Sequence, residues 1–335
     1  MKAQVLNAIK QPLNMEHHDD LSPENSEVVI EIVAAALNRR DYWITQGMYP
    51  GIRTPVTLGS DGAGRVVSCG SDVSDLAAGD EVIINPGWAW GDNPMVQDEA
   101  FRILGMPDNG TFATQLVAPR EQVYPKPPHL NWHEASALPL AGVTAYRAVI
   151  TQGKLSRGER CLVTGIGGGV ATFAVQFAAA LGAEVAVTSS SDEKIANAER
   201  FGATAGFNYT QDGWTQQARE RFGEFDLIVD GAGGAGYNQL VDLAAFGGRI
   251  VNYGATAGPP AKFDLFKLFW KQLKLTGSTM GSPQDFQSML DFVNEHQIRP
   301  VVDGAYPLEG VNEALDRMKN SKQLGKIILE VSSIG

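Results

Sequence analysis

The sequence predicts an α/β protein: a doubly wound parallel sheet with helices on both faces, joined to a mostly β N-terminal region. Three observations predict it. Residues 1–120 run as short apolar segments separated by Gly, Pro and Asp. Beyond Arg160, strands and helices alternate, and apolar strands connected by helices form parallel sheets. A glycine-rich turn, Gly165 to Ala171, sits between the first strand and the first helix of that alternation.

In the N-terminal region Val28–Val33, Ala63–Val67, Val82–Ile84 and Phe112–Val117 read as strands. Residues 86–110, rich in Pro, Gly, Trp and Asp, read as a long functional loop or lid. Glu134 to Thr151 reads as a helix interrupted by Pro139 and Gly142. Cys161–Thr164, Glu184–Thr188, Thr204–Phe207, Phe225–Val229, Arg249–Tyr253 and Lys274–Ser278 are the expected parallel strands. Val170–Leu181, Asp192–Phe201, Trp214–Phe222 and Gly236–Ala245 are the helices expected between them. Pro283–Glu295 and Leu308–Lys319 carry apolar residues at helical spacing, and Lys326–Val331 is a final strand that returns to the first domain.

The 335 residues exceed one small core and imply about two domains. With 44% apolar and 19% charged residues the composition is that of an ordered globular chain. A net charge of −11 disfavours nucleic acid and anionic membrane as partners, since both require a basic face. Cys69 and Cys161 fit neither a disulfide framework nor a metal pair and read as reduced thiols. The N-terminal residues lack a signal pattern. The apolar stretch Val170–Val187 is interrupted by Thr172, Gln176, Gly182 and Glu184, whereas a membrane span needs about 20 apolar residues. A soluble, cytoplasmic protein is the expectation.

The turn Gly165-Ile166-Gly167-Gly168-Gly169-Val170-Ala171 carries the first functional signal. Residues without side chains let the backbone approach a pyrophosphate, and the helix N-terminus offers oriented N–H groups. The strict G-x-G-x-x-G spacing fails in either register, but the flanking strand, helix and second strand supply the context that makes the motif specific. Gly167, Gly168, Gly169 and Val170 are the expected pyrophosphate contacts. An NAD site carries an acidic residue about 20 residues on, at the end of the second strand. Here the chain reads Ser189-Ser190-Ser191 and then Lys194. Hydroxyls and an ammonium suit a 2′-phosphate, so NADP(H) is expected, with NAD(H) the lesser alternative.

At this point the sequence resembles the medium-chain dehydrogenase/reductase superfamily, and most of all its zinc-free, quinone oxidoreductase-like branch. The resemblance rests on Leu37-Asn38-Arg39-Arg40-Asp41, Gly47-Met48-Tyr49-Pro50, Gly59-Ser60-Asp61-Gly62-Ala63-Gly64, Leu138-Pro139-Leu140-Ala141-Gly142-Val143-Thr144-Ala145-Tyr146 and the glycine turn. It implies a GroES-like, mostly β substrate domain over residues 1–124, completed by 282–335. It also implies a Rossmann dinucleotide-binding domain over 125–281, with an active site in the interdomain cleft. A homodimer is implied as well, its Rossmann edge strand near 274–278 pairing with its mate, which removes an open edge. By position, Lys194 and Tyr209 would hold the 2′-phosphate region. Asn252, Gly254 and Ala255 would line the nicotinamide half, with Thr144 near it.

Zinc-dependent relatives place Cys, His with an acidic neighbour, and Cys at three positions that here hold Asn38, Ser60 (followed by Asp61) and Leu140. Amide and hydroxyl oxygens are poor zinc ligands and Leu is none. Residues 86–110, where a structural zinc lobe would lie, contain no cysteine, and the five histidines show no shared-face spacing. The expectation is a metal-free enzyme. A metal lowers the pKa of bound water from 15.7 to about 7, which corresponds to about 11 kcal/mol. Without that help a simple alcohol is a poor substrate, whereas a quinone or α,β-unsaturated carbonyl already spreads the incoming charge onto oxygen. Hydride transfer from NADPH to such an acceptor is therefore the leading reading. Asn38 would donate a hydrogen bond, Tyr49 a hydroxyl proton, and Asp41 would orient the loop or a water chain. Tyr49 packing the cleft, and Asp41 pairing with Arg39 or Arg40, are the structural alternatives. Trp88, Trp90 and Met95 either cover a flat acceptor or pack for stability. Two other functions stay open: a zinc-independent alcohol or aldehyde dehydrogenase, and a non-catalytic NADPH sensor or partner-binding protein.

Overall fold

The computed structural model describes residues 1–332. The chain divides into two compact units: residues Met1–Ala141 together with the segment from Ser282 onward, and Gly142–Gly281 between them.

Unit 1 opens with β1 (Lys2–Leu6), β2 (Asn14–His17), β3 (Glu27–Ala36), α1 (Arg39–Thr45), β4 (Val56–Thr57) and β5 (Asp61–Cys69). It continues with β6 (Glu81–Ile84), β7 (Gly87–Trp88), β8 (Arg102–Ile103), β9 (Gln115–Pro119) and β10 (Val123–Pro125). Then come α2 (Trp132–Ala137) and α3 (Pro139–Tyr146). The helix expected from Glu134 to Thr151 is thus cut before Pro139, which has no N–H to continue the ladder, and its last turn, Arg147–Gln152, is π-helical. The expected lid contains only the short β7–β8 hairpin. The expected strand at Phe112 begins three residues later, at Gln115.

Unit 2 holds β11 (Arg160–Val163), α4 (Gly169–Ala180), β12 (Glu184–Ser189), α5 (Asp192–Ala198), β13 (Ala205–Asn208) and α6 (Trp214–Phe222). It ends with β14 (Phe225–Asp230), α7 (Tyr237–Leu243), β15 (Ala244–Asn252), α8 (Leu265–Trp270) and β16 (Lys274–Gly277). Its six strands are parallel in the order β13-β12-β11-β14-β15-β16. The order reverses between β11 and β14, the switch point at whose carboxyl edge α/β sheets bind ligands. The apolar strands bury completely at Leu162, Ala186, Ile228 and Ile250, as expected for a sheet covered on both faces.

The chain then completes unit 1 with α9 (Pro283–Glu295), β17 (Val302–Pro307), α10 (Val311–Lys319) and β18 (Lys326–Glu330). Ser282 and Asp285 form a capping box that starts α9, with Pro283 at its first position. The main sheet of unit 1 runs β10-β6-β5-β3-β18-β17, and β9 also pairs with β3. Register decides the site. Ala36 of β3 faces Asp61 of β5 on one side and Ile328 of β18 on the other. The Leu37 N–H continues the pairing to the Ile327 carbonyl at 2.9 Å. One end of the sheet therefore gathers Asn38, Asp61 and Lys326. Within the unit that runs to Ala141, the Leu140 N–H is held by the Asp61 carboxylate at 2.7 Å. Among the described residues no helix is long and apolar enough to cross a membrane.

Candidate active site

In unit 2 the turn after β11 needs glycine at two places: Gly165 has φ +67° and Gly167 φ +143°, conformations costly for a side chain. Gly168 precedes the first turn of α4 in extended conformation, and no side chain caps the helix. A Cβ built on Gly165 or Gly168 would meet nothing within 4 Å, so the backbone borders open space. The N–H groups of Gly169, Val170 and Ala171 lie in the first turn of α4, whose orphan donors and dipole favour an anion. These features fit a dinucleotide pyrophosphate.

At the end of β12, Ser189 is buried, with its Oγ accepting the Ser191 N–H at 3.1 Å. Ser190 is exposed. Ser191 caps α5 by accepting the Lys194 N–H at 3.3 Å, which places Lys194 in the first helical turn. Tyr209 is half exposed, its N–H bonded to the Ser189 carbonyl at 3.1 Å. Ser189, Ser190, Lys194 and Tyr209 therefore share the carboxyl end of β12 and β13. Asp192 accepts from Asn208 Nδ2 at 2.8 Å, and Glu193 stands beside it in the first turn of α5.

A hydrogen-bond network that the sequence did not reveal joins the carboxyl ends of β11, β14 and β15. Buried Asp230 accepts from Thr164 Oγ1 at 2.5 Å, Gly233 N at 2.9 Å and Asn252 Nδ2 at 2.8 Å. Tyr237 OH donates to Asn252 Oδ1 at 2.5 Å. Burial, and then the charge of Asp230, push the Tyr237 hydroxyl up to about 12, against the opposing bond to Asn252. Tyr237, Asn252, Gly254 and Ala255 line a depression of about 420 Å³. The Asn252 amide is thus oriented by Tyr237 and Asp230, and Gly254 and Ala255 border the same space. Thr144 is buried, with Oγ1 4.0 Å from Met280 Sδ. A strand-final Asp followed by Gly-Ala-Gly-Gly was the available signal for Asp230.

In unit 1, Asn38 leads into α1. Its backbone N–H donates to Asp41 Oδ2 at 2.7 Å, the reciprocal half of a capping box. Asp41 is fully buried, and burial pushes its carboxyl up to about 6, opposed by the charge of Arg40. Arg39 Nη1 donates to the Met318 carbonyl, and the Arg40 guanidinium donates to Ser60 Oγ and to the Leu104 and Met106 carbonyls. Among the described residues, neither forms an ion pair with Asp41. Tyr49 is partly exposed and lies with its ring 5.1 Å from the Arg40 guanidinium, while Arg40 Nε donates to its OH at 3.5 Å. The Tyr49 proton is then left to donate.

The Asn38 side chain points into a second buried cluster. Its Nδ2 donates to Asp61 Oδ2 at 2.9 Å, while its Oδ1 accepts from Lys326 Nζ at 2.7 Å. Lys326 Nζ also lies 2.7 Å from Asp61 Oδ2. Both charged residues are buried. Lys326 was legible only as the first residue of a strand, and its partners lie 288 and 265 residues away.

Trp88 and Trp90 are both buried. Trp88 Nε1 donates to the Asn85 carbonyl at 3.1 Å, and Trp90 Nε1 to the Asn93 carbonyl at 3.0 Å. Trp90 packs edge-on against Phe101. These rings pack the loop, and only Met95 of the three is exposed.

A GroES-like unit interrupted by a six-stranded parallel sheet with a glycine-rich turn at its switch point defines a dehydrogenase class. Comparisons agree. Residues 24–128 match the alcohol dehydrogenase GroES-like domain and residues 169–295 the zinc-binding dehydrogenase family. The zinc-type alcohol dehydrogenase-like protein YogA of Leptosphaeria maculans is 33% identical, covering 96% of this chain and 95% of that one. The acryloyl-coenzyme A reductase of Sulfurisphaera tokodaii is 28% identical over 98% of this chain and all of its own. The crystal structure of an NAD-dependent alcohol dehydrogenase superposes with a TM-score of 0.94 at 34% identity, covering 99% of this chain and 100% of that one. The chain belongs to the medium-chain dehydrogenase/reductase superfamily and is an oxidoreductase of that family.

The family's zinc does not fit the residues present. At position 38 the amide oxygen is taken by the Lys326 ammonium. At position 60 the hydroxyl donates to the Leu104 carbonyl at 2.7 Å and accepts from Arg40. Position 140 is Leu. Among the described residues, no group of three or more His, Cys, Asp or Glu could hold a metal ion.

Proposed function

We propose that the protein is an NADPH-dependent reductase of conjugated carbonyl compounds, either quinones or α,β-unsaturated carbonyls, working without zinc. The observation that carries this reading is the donor set at positions 38, 60 and 140, which offers no thiolate, imidazole or free carboxylate to a metal. When bound, the dinucleotide supplies a hydride. In a conjugated acceptor the new C–H bond forms at carbon while the displaced electron pair moves to the carbonyl oxygen. That oxygen needs hydrogen-bond donors while it carries the charge, and one proton completes the reduction, at the oxygen of a quinone or at the α-carbon of an unsaturated carbonyl. Tyr49, held by Arg40, is the donor hydroxyl, and the Asn38 amide is the second donor. Asp41 holds the start of α1 and so the position of Asn38.

Gly167, Gly168, Gly169 and Val170 would take the pyrophosphate, with Ser189, Ser190, Lys194 and Tyr209 around a 2′-phosphate. Thr144, Asn252, Gly254 and Ala255 would face the nicotinamide half. The name of the Sulfurisphaera relative supports a conjugated acceptor, since acryloyl-coenzyme A is an α,β-unsaturated thioester. The alcohol dehydrogenase named above supports the other oxidoreductase reading.

The assay follows NADPH oxidation with quinones, enones and aldehydes, with and without a chelator. Conjugated acceptors are expected to turn over at a rate the chelator leaves unchanged. Aldehyde turnover that requires added zinc would overturn the reading. Tight NADPH binding with no turnover of any acceptor would favour the sensor.

We further propose a homodimer through the edge of the unit 2 sheet. Strand β16 is that edge, and α8 beside it exposes Leu265, Phe266, Phe269 and Trp270. Exposed large apolar side chains that lie together, as Phe266 and Phe269 do, are a common mark of a protein–protein interface.

A further inference from the structure

We propose that Lys326 is the positioning residue of the unit 1 site: its ammonium is a built-in cation that orients the Asn38 amide and excludes a metal from positions 38 and 61. Three buried groups close a ring. Lys326 Nζ lies 2.7 Å from both Asn38 Oδ1 and Asp61 Oδ2, and Asn38 Nδ2 lies 2.9 Å from Asp61 Oδ2. The second Asp61 oxygen accepts the Leu140 N–H at 2.7 Å. Removing an ammonium from water is costly unless a partner charge and hydrogen bonds compensate it, and this ring supplies both.

The ring also fixes which way the amide faces. Turned over, Asn38 would set N–H groups against the ammonium and its oxygen against a carboxylate. With Oδ1 held by Lys326 and one Nδ2 proton held by Asp61, the other Nδ2 proton is what the side chain can offer a substrate. Asn38 is thereby a donor rather than a ligand. A divalent ion reaching Asn38 Oδ1 and Asp61 Oδ2 would meet the ammonium on the same two oxygens. The pair is already neutral, so a second cation would add uncompensated buried charge.

The test uses the full-length chain and no turnover, so its outcome is separate from that of the acceptor assay. Wild-type protein is incubated with Co(II), passed through gel filtration and assayed for metal. No stoichiometric retention is expected. Lys326→Met, Lys326→Arg and the double variant Lys326→Met/Asp61→Asn are then compared. Lys326→Met leaves a buried carboxylate unpaired, and its Tm is expected to fall by about 10 °C. The double variant removes both charges and is expected to recover most of that loss. Exchange of the Asn38 side-chain amide protons, followed by 15N NMR, is expected to be slow in wild type, faster in Lys326→Met and partly restored in Lys326→Arg. A purely structural role would leave that exchange unchanged. If Lys326→Met does not fold, the double variant decides: folding supports the proposal, and failure overturns it. Retention of one Co(II) per wild-type chain, or a Lys326→Met protein with wild-type Tm and amide exchange, would also overturn it.

Discussion

The backbone N–H of Asn38 donates to the carboxylate of Asp41 at 2.7 Å, and the other Asp41 oxygen is buried with no hydrogen-bond partner among the described residues. Burial pushes the Asp41 carboxyl up to about 6. A raised carboxyl pKa means that the folded state binds the proton more tightly than the unfolded chain. The associated stability is present below about pH 4 and is lost as pH rises through 6, a change of about 3 kcal/mol. Asp41→Asn cannot titrate. Its stability relative to wild type is expected to improve by up to that amount between pH 4 and pH 7. Urea unfolding at several pH values checks this, and a difference that is flat with pH would contradict it.

Gly168 separates folding from binding. Its extended conformation suits an N-cap Asp, and a Cβ there meets no protein atom. Gly168→Asp is expected to keep or raise stability by about 0.5–1 kcal/mol, since a carboxylate favours a helix N-terminus. The same charge repels a pyrophosphate, so binding of both NADPH and NADH should be lost. Thermal melts beside fluorescence titration of each cofactor read the two effects.

Lys194 should discriminate between the cofactors. Its place in the first turn of α5, with its N–H on Ser191 Oγ, suits a 2′-phosphate. Lys194→Ala is expected to weaken NADPH about tenfold or more while sparing NADH, the loss of one charge-assisted hydrogen bond. Equal weakening of both would remove the phosphate role.

Tyr49→Phe keeps the ring that packs against Arg40 and removes only the hydroxyl. Stability should change little. Under the proposed mechanism kcat with an enone or quinone falls by roughly 10²-fold, as for loss of a general acid. Steady-state kinetics at fixed NADPH measure it, and an unchanged kcat would return Tyr49 to a packing role.

Phe266→Glu and Trp270→Glu place charge on side chains that are 78% and 72% exposed within one chain. Each is expected to convert a dimer to a monomer with little change in the fold. Sedimentation velocity distinguishes this from a wild type that is already monomeric.

Much of the fold was legible because its signals are short-range. The helices Trp214–Phe222 and Pro283–Glu295 fall where the sequence places them, the second of them started by the Ser282–Asp285 capping box. The glycine turn announced itself through residues that need positive φ. Helix α8 is not predicted because its six residues are too few to show a helical period and five of them are apolar, with Lys267 the exception. Gly236–Ala245 was read as one helix, but the helix ends at Leu243 and Ala244 already pairs with Phe225 in the sheet.

The sequence by itself determined the order of elements, the superfamily and the substitution of ordinary zinc ligands at positions 38, 60 and 140. Those depend on residue type and on spacing within a few tens of residues. Only the tertiary structure decided what occupies the surroundings of those positions. Strand register sets Ala36 between Asp61 and Ile328, and so brings Lys326 to Asn38 across 288 residues of chain. No local pattern encodes that meeting, because a lysine opening an apolar strand looks the same whether it faces water or a buried carboxylate.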